Sequence, residues 1–415
     1  MLRFNMLFLK NLNNSDWGHL LLAISMASIH FAPAVSSISL ILFLIIAIRG
    51  NLISTEAQPK KYLMLQGLYI LFFLGILIYD AQFEGGFDRS WANVQVALPL
   101  FCLPMFIRFG QLNHTEWQRV WYLYTLPLIW TLIPVAFNFL ANSEFLSQMV
   151  LESKPLPLYS RVYHIEYSLL ITVVLLFLTL LWIKKKELRT PFFTVNYVLL
   201  LIGLHLISAR TGLLSYWLGM GWLILKHSEG QKSSRIIWLF AICGLFLLFI
   251  PTVKNRIINS YQDIQTTLTG GDINHKSFGQ RVEAWKATSR LIKEKPLTGV
   301  GSNAFFPKLM GKYEEMGSTL RPSNWIGPHN QWLQWAAEHG LIALFIGLLL
   351  MGMQLFYWQE QVIRILWVLV LGMASIFESI AERQAGVLAI VIFTVLLTSI
   401  SPKEKTVKVS GSVAN

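Results

Sequence analysis

Long apolar runs recur along the chain and limit its possible folds more than any other feature. Of its 415 residues, 54% are apolar and 13% are charged. Runs of about 20 apolar residues can cross a bilayer as helices. We predict an all-α, polytopic integral membrane protein, with residues 1–415 forming one membrane domain of about twelve transmembrane helices. The predicted spans are 17–34, 36–48, 62–80, 91–107, 118–139, 162–183, 193–208, 210–225, 235–252, 329–357, 361–377 and 382–399.

The basic residues between these spans predict the orientation. Twelve spans put both termini on one side, where the short segments carry 18 Lys and Arg, whereas the short loops opposite carry five. The positive-inside rule makes the richer side cytoplasmic. The net charge of +12 is therefore a topology signal and does not indicate nucleic-acid binding. We expect a bacterial inner-membrane protein with residues 253–328 as a large periplasmic loop. Segments 17–48 and 193–225 could each be a re-entrant hairpin without changing the sidedness.

An arginine in the predicted loop lies on the wrong face of a helix. The stretch GQRVEAWKATSRLIKEKPLTGVG, residues 279–301, reads as an amphipathic helix ended by Pro296. At about 100° per residue, Arg281 shares a face with Trp285 and Thr288. A guanidinium on an apolar face needs an anion or a wet cavity. Arg281 either pairs with a local carboxylate or binds an anionic ligand.

Other arginines of the outer face raise the same alternatives. Arg210, in ISARTGLLSYW, stands at a helix end with no acidic residue nearby in sequence. Arg161, in SRVYHIEYS, could pair with Glu166, and Arg89 could pair with Asp88. Several arginines that each need an anion favour a phosphate group, because the guanidinium fork matches its oxygens. At a membrane the candidates are a phospholipid or a lipid-linked pyrophosphate.

A histidine begins one predicted span, in GPHNQWLQWAAEHGL, residues 327–341. Pro328 suits the first turn of a helix, and Asn330 could cap its backbone N–H groups. Gly340 lies about 20° round the helix from His329 and would allow close packing. A helix N-terminus and nearby arginines disfavour the imidazolium, so His329 would be a neutral general base. The alternative is an interfacial histidine that merely starts a helix.

These segments in this order resemble the O-antigen ligase family of Gram-negative inner membranes, which groups with O-antigen polymerases and periplasmic protein O-glycosyltransferases. The family motifs are met by Arg210 with Leu214, by Arg281 before an aromatic residue, and by His329, Asn330 and Gly340. RVYHIEYS resembles a looser family segment that carries an arginine, here Arg161. Ala343 stands where the ligase motif usually has Gly, Thr or Tyr, and this departure weakens the distinction between a ligase and a polymerase.

The resemblance implies a GT-C-like architecture and an inverting glycosyl transfer that needs neither metal nor cofactor. The donor would be a polysaccharide linked to undecaprenyl pyrophosphate, and the acceptor a sugar hydroxyl of the lipid A–core oligosaccharide. His329 would take the acceptor proton, while Arg210, Arg281 and Arg161 would hold the pyrophosphate. Asn330, Gly340 and Arg89 would support the site.

Three rival functions are compatible with parts of the sequence. A polymerase would use the same donor. A transporter of lipid-linked glycans would usually show internal repeats and broken helices at the bilayer midplane, and no repeat is visible. A metal-using glycosyltransferase would need outer carboxylates, for which Asp80, Glu84 and Asp88 are the clustered candidates.

Overall fold

The computed structural model describes residues 14–49, 114–152, 154–227, 249–356 and 361–399, with isolated residues between 67 and 96. These residues form helices, and no β-strand occurs among them. The α-helices are α1 (Asn14–Ser28), α2 (Pro33–Arg49), α3 (His114–Ala141), α4 (Ser143–Leu151), α5 (His164–Lys184), α6 (Pro191–Ile207), α7 (Arg210–His227), α8 (Pro251–Leu268), α9 (Ser277–Glu294), α10 (Ser302–Glu315), α11 (Gln331–Phe356), α12 (Gln361–Trp367), α13 (Met373–Phe377) and α14 (Gln384–Ser399). A π-helical turn, Val368–Gly372, joins α12 to α13.

Helix α5 is the centre of the main apolar core. It is apolar all round and buried along most of its length, packing against α6, α7 and α14. Small residues let α7 approach closely: Gly212 lies against Ser168, and Gly219 lies against Leu176. Helices α1 and α2 pack on each other and join this core through α3.

Three described helices are long and apolar enough to cross a membrane, within Trp121–Ala141, His164–Lys184 and Gln331–Met353. Shorter apolar helices occur at Pro33–Phe43, Pro191–Ile207, Arg364–Phe377 and Gln384–Thr394. The all-helical architecture is therefore confirmed for the described residues, while the number of twelve spans stays a prediction. Most of the predicted spans 62–80, 91–107 and 235–252 lies outside the described residues.

The segment predicted as a large loop is a helical layer with its own small core. Helices α9 and α10 enclose Ala284, Leu291, Phe305 and Leu309, and Tyr313 stacks on Trp325 at the edge of this core. The amphipathic helix predicted within residues 279–301 is confirmed as α9, which ends before Pro296. Helix α9 packs against both α8 and α11, and so connects the layer to an apolar helix.

Candidate functional site

Helix α9 places Arg281 beside the turn that contains His329. One turn after Arg281, the Trp285 indole Nε1–H donates to the Pro328 carbonyl at 2.7 Å, and Thr288 on the same face is fully buried. The predicted shared face of Arg281, Trp285 and Thr288 therefore packs inward. The helix brings a guanidinium to the segment immediately before α11.

His329 lies in a tight turn and not in the first turn of a helix, which corrects the sequence prediction. Its φ is +44°, in the left-handed region that few non-glycine residues adopt. Helix α11 begins two residues later, and Asn330 caps it, since its Oδ1 accepts from the Leu333 backbone N–H at 3.0 Å. The capping role predicted for Asn330 is confirmed. The turn directs the imidazole toward the residues that follow α13.

Glu378 joins His329 to Arg281. One carboxylate oxygen, Oε1, lies 2.7 Å from His329 Nδ1, and the other, Oε2, lies 3.6 Å from Arg281 Nη2. The Glu378 side chain is only 3% exposed. Burial acts to raise the pKa of Glu378, but the His329 hydrogen bond and the charges of His329, Arg281 and Arg383 outweigh it and lower the pKa below its usual value. The surroundings of His329 thus include a carboxylate as well as the predicted arginines.

Glu378 was not among the residues singled out from the sequence. It lies 49 residues after His329, in the polar stretch between two apolar segments. The available signal was the stretch IFESIAERQ, which carries two carboxylates, Glu378 and Glu382, between apolar segments. The spacing along the chain could not show that Glu378 is buried against His329.

Arg210 is the first residue of α7 and reaches into the helical layer. Its guanidinium donates hydrogen bonds to Ser277 Oγ and Asn259 Oδ1 and lies 3.5 Å from Asp263 Oδ2. Ser277 precedes Arg281 by one turn of α9, so the two arginines are neighbours, and their positive charges interact. The structure therefore brings Arg210, Arg281 and His329 together, as the sequence predicted.

Arg256 is a further cation of this cluster. It lies on α8, is 8% exposed, and donates from Nη2 to the Lys154 carbonyl at 3.4 Å. Burial and the charge of Arg210 lower the pKa of Arg256 to about 10. The buried Nε atoms of Arg256 and Arg210 have no hydrogen-bond partner. Two unsatisfied, cationic N–H donors in one region suit an anion.

Arg161 is placed differently from Arg210 and Arg281. The Arg161 side chain is exposed, and its backbone N–H donates to the His30 carbonyl at 3.0 Å. The anticipated partner of Arg161, Glu166, instead forms an ion pair with Arg383 at 2.9 Å. Among the described contacts, none joins the Arg161 side chain to Arg210, Arg281 or His329. Arg89 lies outside the described residues.

Gly340 forms a kink in α11, a role that the sequence predicted only in part. Close packing was predicted on one face of a continuous helix, whereas Gly340 breaks α11 with φ +84° and ψ 168°. A Cβ there would lie 2.1 Å from the Leu297 carbonyl oxygen. The Val300 N–H donates to the Ala337 carbonyl at 2.9 Å, and the Leu341 N–H donates to the Pro296 carbonyl at 2.8 Å. The turn after α9 is thereby attached to the kink.

The cluster combines one histidine, held by a carboxylate, with three arginines. Such a site can accept a proton beside an anion whose negative charge grows. Over the parts of the chain that the structure describes, no group of three His, Cys, Asp or Glu residues could hold a metal ion. The carboxylates considered for a metal site, Asp80, Glu84 and Asp88, lie outside those parts.

Parts of this chain are similar to known proteins. A protein of Haemophilus influenzae, described as an uncharacterized protein, is 27% identical over 183 residues. The alignment spans 42% of this chain and 45% of that protein, less than half of either. The O-antigen ligase family model matches residues 195–348, which include Arg210, Arg256, Arg281, His329 and Gly340. The match confirms the resemblance found in the sequence: residues 195–348 of this chain are similar to the O-antigen ligase family.

Proposed function

We propose that the protein is an O-antigen ligase of the bacterial inner membrane. It transfers a polysaccharide from undecaprenyl pyrophosphate to a sugar hydroxyl of the lipid A–core oligosaccharide, at the periplasmic face, without a metal ion. The observation that carries the proposal is the unit His329–Glu378–Arg281 beside Arg210. The family match, which includes Arg210, Arg281 and His329 but ends before Glu378, supports the general class of reaction.

In the proposed reaction, His329 acts as the general base. Its Nδ1 donates to the Glu378 carboxylate, which leaves Nε2 to accept the proton of the acceptor hydroxyl. The hydroxyl oxygen then forms a bond to the anomeric carbon, on the side opposite the pyrophosphate, and the carbon–oxygen bond to the pyrophosphate breaks. Glu378 stabilises the imidazolium formed, as a buried carboxylate does in other proton-transfer sites. The configuration at the anomeric carbon is inverted.

The arginines act on the leaving group. As the glycosidic bond breaks, the pyrophosphate oxygen gains negative charge, which fixed guanidinium groups stabilise in a buried site. Arg210 and Arg281 are the principal candidates, and Arg256 adds a third buried guanidinium with an unsatisfied Nε–H. Arg161, which is exposed, is left as a candidate for contact with a more distant part of the donor.

The test is transfer from a purified undecaprenyl-pyrophosphate-linked polysaccharide to a defined lipid A–core acceptor, with the protein in nanodiscs. We expect transfer by the natural protein and loss of transfer for His329→Ala, because the His329 ring is the one that the Glu378 carboxylate holds through Nδ1. His275→Ala, an exposed histidine in the same layer, is the matched control. Loss of activity with EDTA and recovery with a divalent ion would contradict the metal-free mechanism.

The same assay distinguishes the nearest alternative. A polymerase would lengthen the glycan on its own lipid carrier, whether or not the lipid A–core acceptor is present. Product that remains on undecaprenyl pyrophosphate would therefore support a polymerase, while product that migrates with lipid A would support the ligase.

A further inference from the structure

Helix α8, in the segment predicted as a periplasmic loop, has its polar and apolar faces reversed relative to a water-soluble helix. Of its three charged residues, Arg256 and Asp263 are buried, and only Lys254 faces outward. Its large apolar side chains are exposed instead, and these are Ile257, Ile258, Tyr261, Ile264 and Leu268. We call these five side chains the outer face of α8.

Four of the five side chains of the outer face form one stripe. Positions 257, 261, 264 and 268 recur at the spacing of a single helix face, and the exposed polar residues Lys254 and Gln265 lie between this stripe and Ile258, at its margin. Tyr261 is 68% exposed and Leu268 is 80% exposed. The polar residues Arg256, Asn259 and Asp263 lie on the opposite side, toward Arg210. Exposing such a stripe to water would leave a large apolar area hydrated.

The inner contacts of α8 hold it against helix ends of the membrane core. Thr252 Oγ1–H donates to the His205 carbonyl in the last turn of α6 at 3.1 Å. Asn255 donates to the Ser147 carbonyl of α4 at 2.9 Å, and Asn259 donates to the Leu151 carbonyl at 2.6 Å. These bonds fix the rotation of α8, so that its apolar side must face away from the protein.

The exposed apolar surface continues from α8 onto neighbouring helices. Phe249, just before α8, is 79% exposed, and Phe145 on α4 is 68% exposed. Helix α6, an apolar helix that contacts α8, exposes the side chains of Phe192, Val195, Val198, Leu199 and Ile202. A surface shared with such a helix fits hydrocarbon better than water.

We propose that the outer face of α8 binds the acyl chains of the outer leaflet, with α8 lying along the membrane surface as an interfacial helix. A helix of this kind buries its apolar stripe about 5–10 Å into the boundary between headgroups and chains. Tyr261 suits that depth, because its ring is apolar and its hydroxyl is polar. Helix α8 thus separates lipid, on its outer face, from the arginine cluster on its inner face. The proposal does not depend on the transferase activity.

The test uses single cysteines labelled with an environment-sensitive fluorophore, after replacement of Cys102 and Cys243 by serine. Ile264→Cys and Leu268→Cys report on the outer face, Val198→Cys on α6 is the lipid-facing reference, and Lys286→Cys on the polar face of α9 is the aqueous reference. In nanodiscs of phosphatidylethanolamine and phosphatidylglycerol, lipids that carry a nitroxide near the headgroup should quench the label at 264 and 268 at least as strongly as at 198. The label at 286 should not be quenched.

Quenching at 264 and 268 no stronger than at 286 would overturn the proposal. Efficient disulfide formation between two copies at Leu268→Cys in the membrane would also overturn it, because a second copy would then cover the stripe. Since a bulky label can disturb folding, small nitroxide labels at the same positions give a second reading. The proposal expects high accessibility to oxygen and low accessibility to a water-soluble nickel chelate, and the reverse order contradicts it. Neither measurement requires donor or acceptor, so failure of the proposed function would leave the result intact.

Discussion

At the scale of single residues, Glu378 links the two parts of the candidate site, because one of its oxygens contacts His329 and the other contacts Arg281. It acts through His329 and does not itself touch a substrate in the proposed reaction, so it is a positioning residue. Replacing it with glutamine keeps the shape but removes the charge that stabilises the imidazolium. We expect Glu378→Gln to lower kcat by about 10²-fold, with a smaller change in KM for the donor.

The matched control for Glu378 is Glu382→Gln. Glu382 lies one turn later and accepts a hydrogen bond from Gln331 at 2.9 Å, so its substitution disturbs the same segment without removing the partner of His329. Kinetics of both variants, at equal amounts of folded protein, give the comparison. Equal kcat for Glu378→Gln and the natural protein would show that the carboxylate is not needed for proton transfer.

Arg256 should contribute to donor binding. Its buried Nε–H is unsatisfied, and burial beside Arg210 lowers its pKa to about 10, so an anion would relieve both costs. Arg256 still carries its charge at neutral pH, because a pKa of about 10 lies well above 7. We expect Arg256→Gln to raise KM for the lipid-linked donor about 10-fold, equivalent to about 1.4 kcal/mol, with kcat changed less.

Two further variants separate binding from folding in this test. Arg256→Lys should not restore the KM, because a point charge cannot replace the fork. Arg290→Gln, on the exposed side of α9, should leave KM unchanged. A KM for Arg256→Gln equal to that of the natural protein, with normal thermal stability, would remove Arg256 from the donor site.

At the scale of elements, the kink at Gly340 holds α9 in place relative to α11. The turn after α9 is bound to the kink by backbone hydrogen bonds on both sides of residue 340. An alanine would need φ +84° and would place its Cβ 2.1 Å from the Leu297 carbonyl oxygen. We expect Gly340→Ala to destabilise the protein by more than about 1 kcal/mol and to reduce transfer.

Thermal unfolding in detergent measures this effect, and Gly352→Ala provides its control. Gly352 lies on the same helix, and a Cβ there meets no atom within 4 Å. Unchanged unfolding of Gly340→Ala would mean that the turn after α9 can move away from α11 at little cost.

The elements also separate what the sequence could predict from what it could not. Helix α9 and its inward Arg281 were predictable, because the 3.6-residue period lies within one continuous stretch. The same holds for the Asn330 cap, which depends on neighbouring residues. Glu378 and Arg256 were missed because their importance comes from contacts across long sequence separations. Gly340 was predicted to allow close packing, but the partner and the left-handed backbone are tertiary facts.

At the scale of the whole molecule, the hydropathy pattern predicted an all-helical membrane protein, and it placed the break between the apolar segments 193–208 and 210–225 where the structure has it. Residues 193–225 are two helices separated by Ser208, with φ +49°, and Ala209. The reversed faces of α8 show why the boundary between loop and membrane was not predictable from charge alone. In the sequence, the three charged residues of α8 make its segment look polar, although two of them, Arg256 and Asp263, are buried in the protein.

The orientation of the molecule is the last prediction, and it follows from the unequal basic charge of the two sides. After replacement of Cys102 and Cys243, His275→Cys would report on the helical layer and Lys186→Cys on the opposite end of α5, since both positions are exposed. In intact cells, a maleimide that cannot cross the inner membrane should label residue 275 and should reach residue 186 only after lysis. The reverse pattern would place the arginine cluster in the cytoplasm, away from any periplasmic acceptor. Labelling of both positions before lysis would instead indicate that the cells were not intact. As a control for intact cells, a cytoplasmic enzyme should not be released into the medium of the same sample.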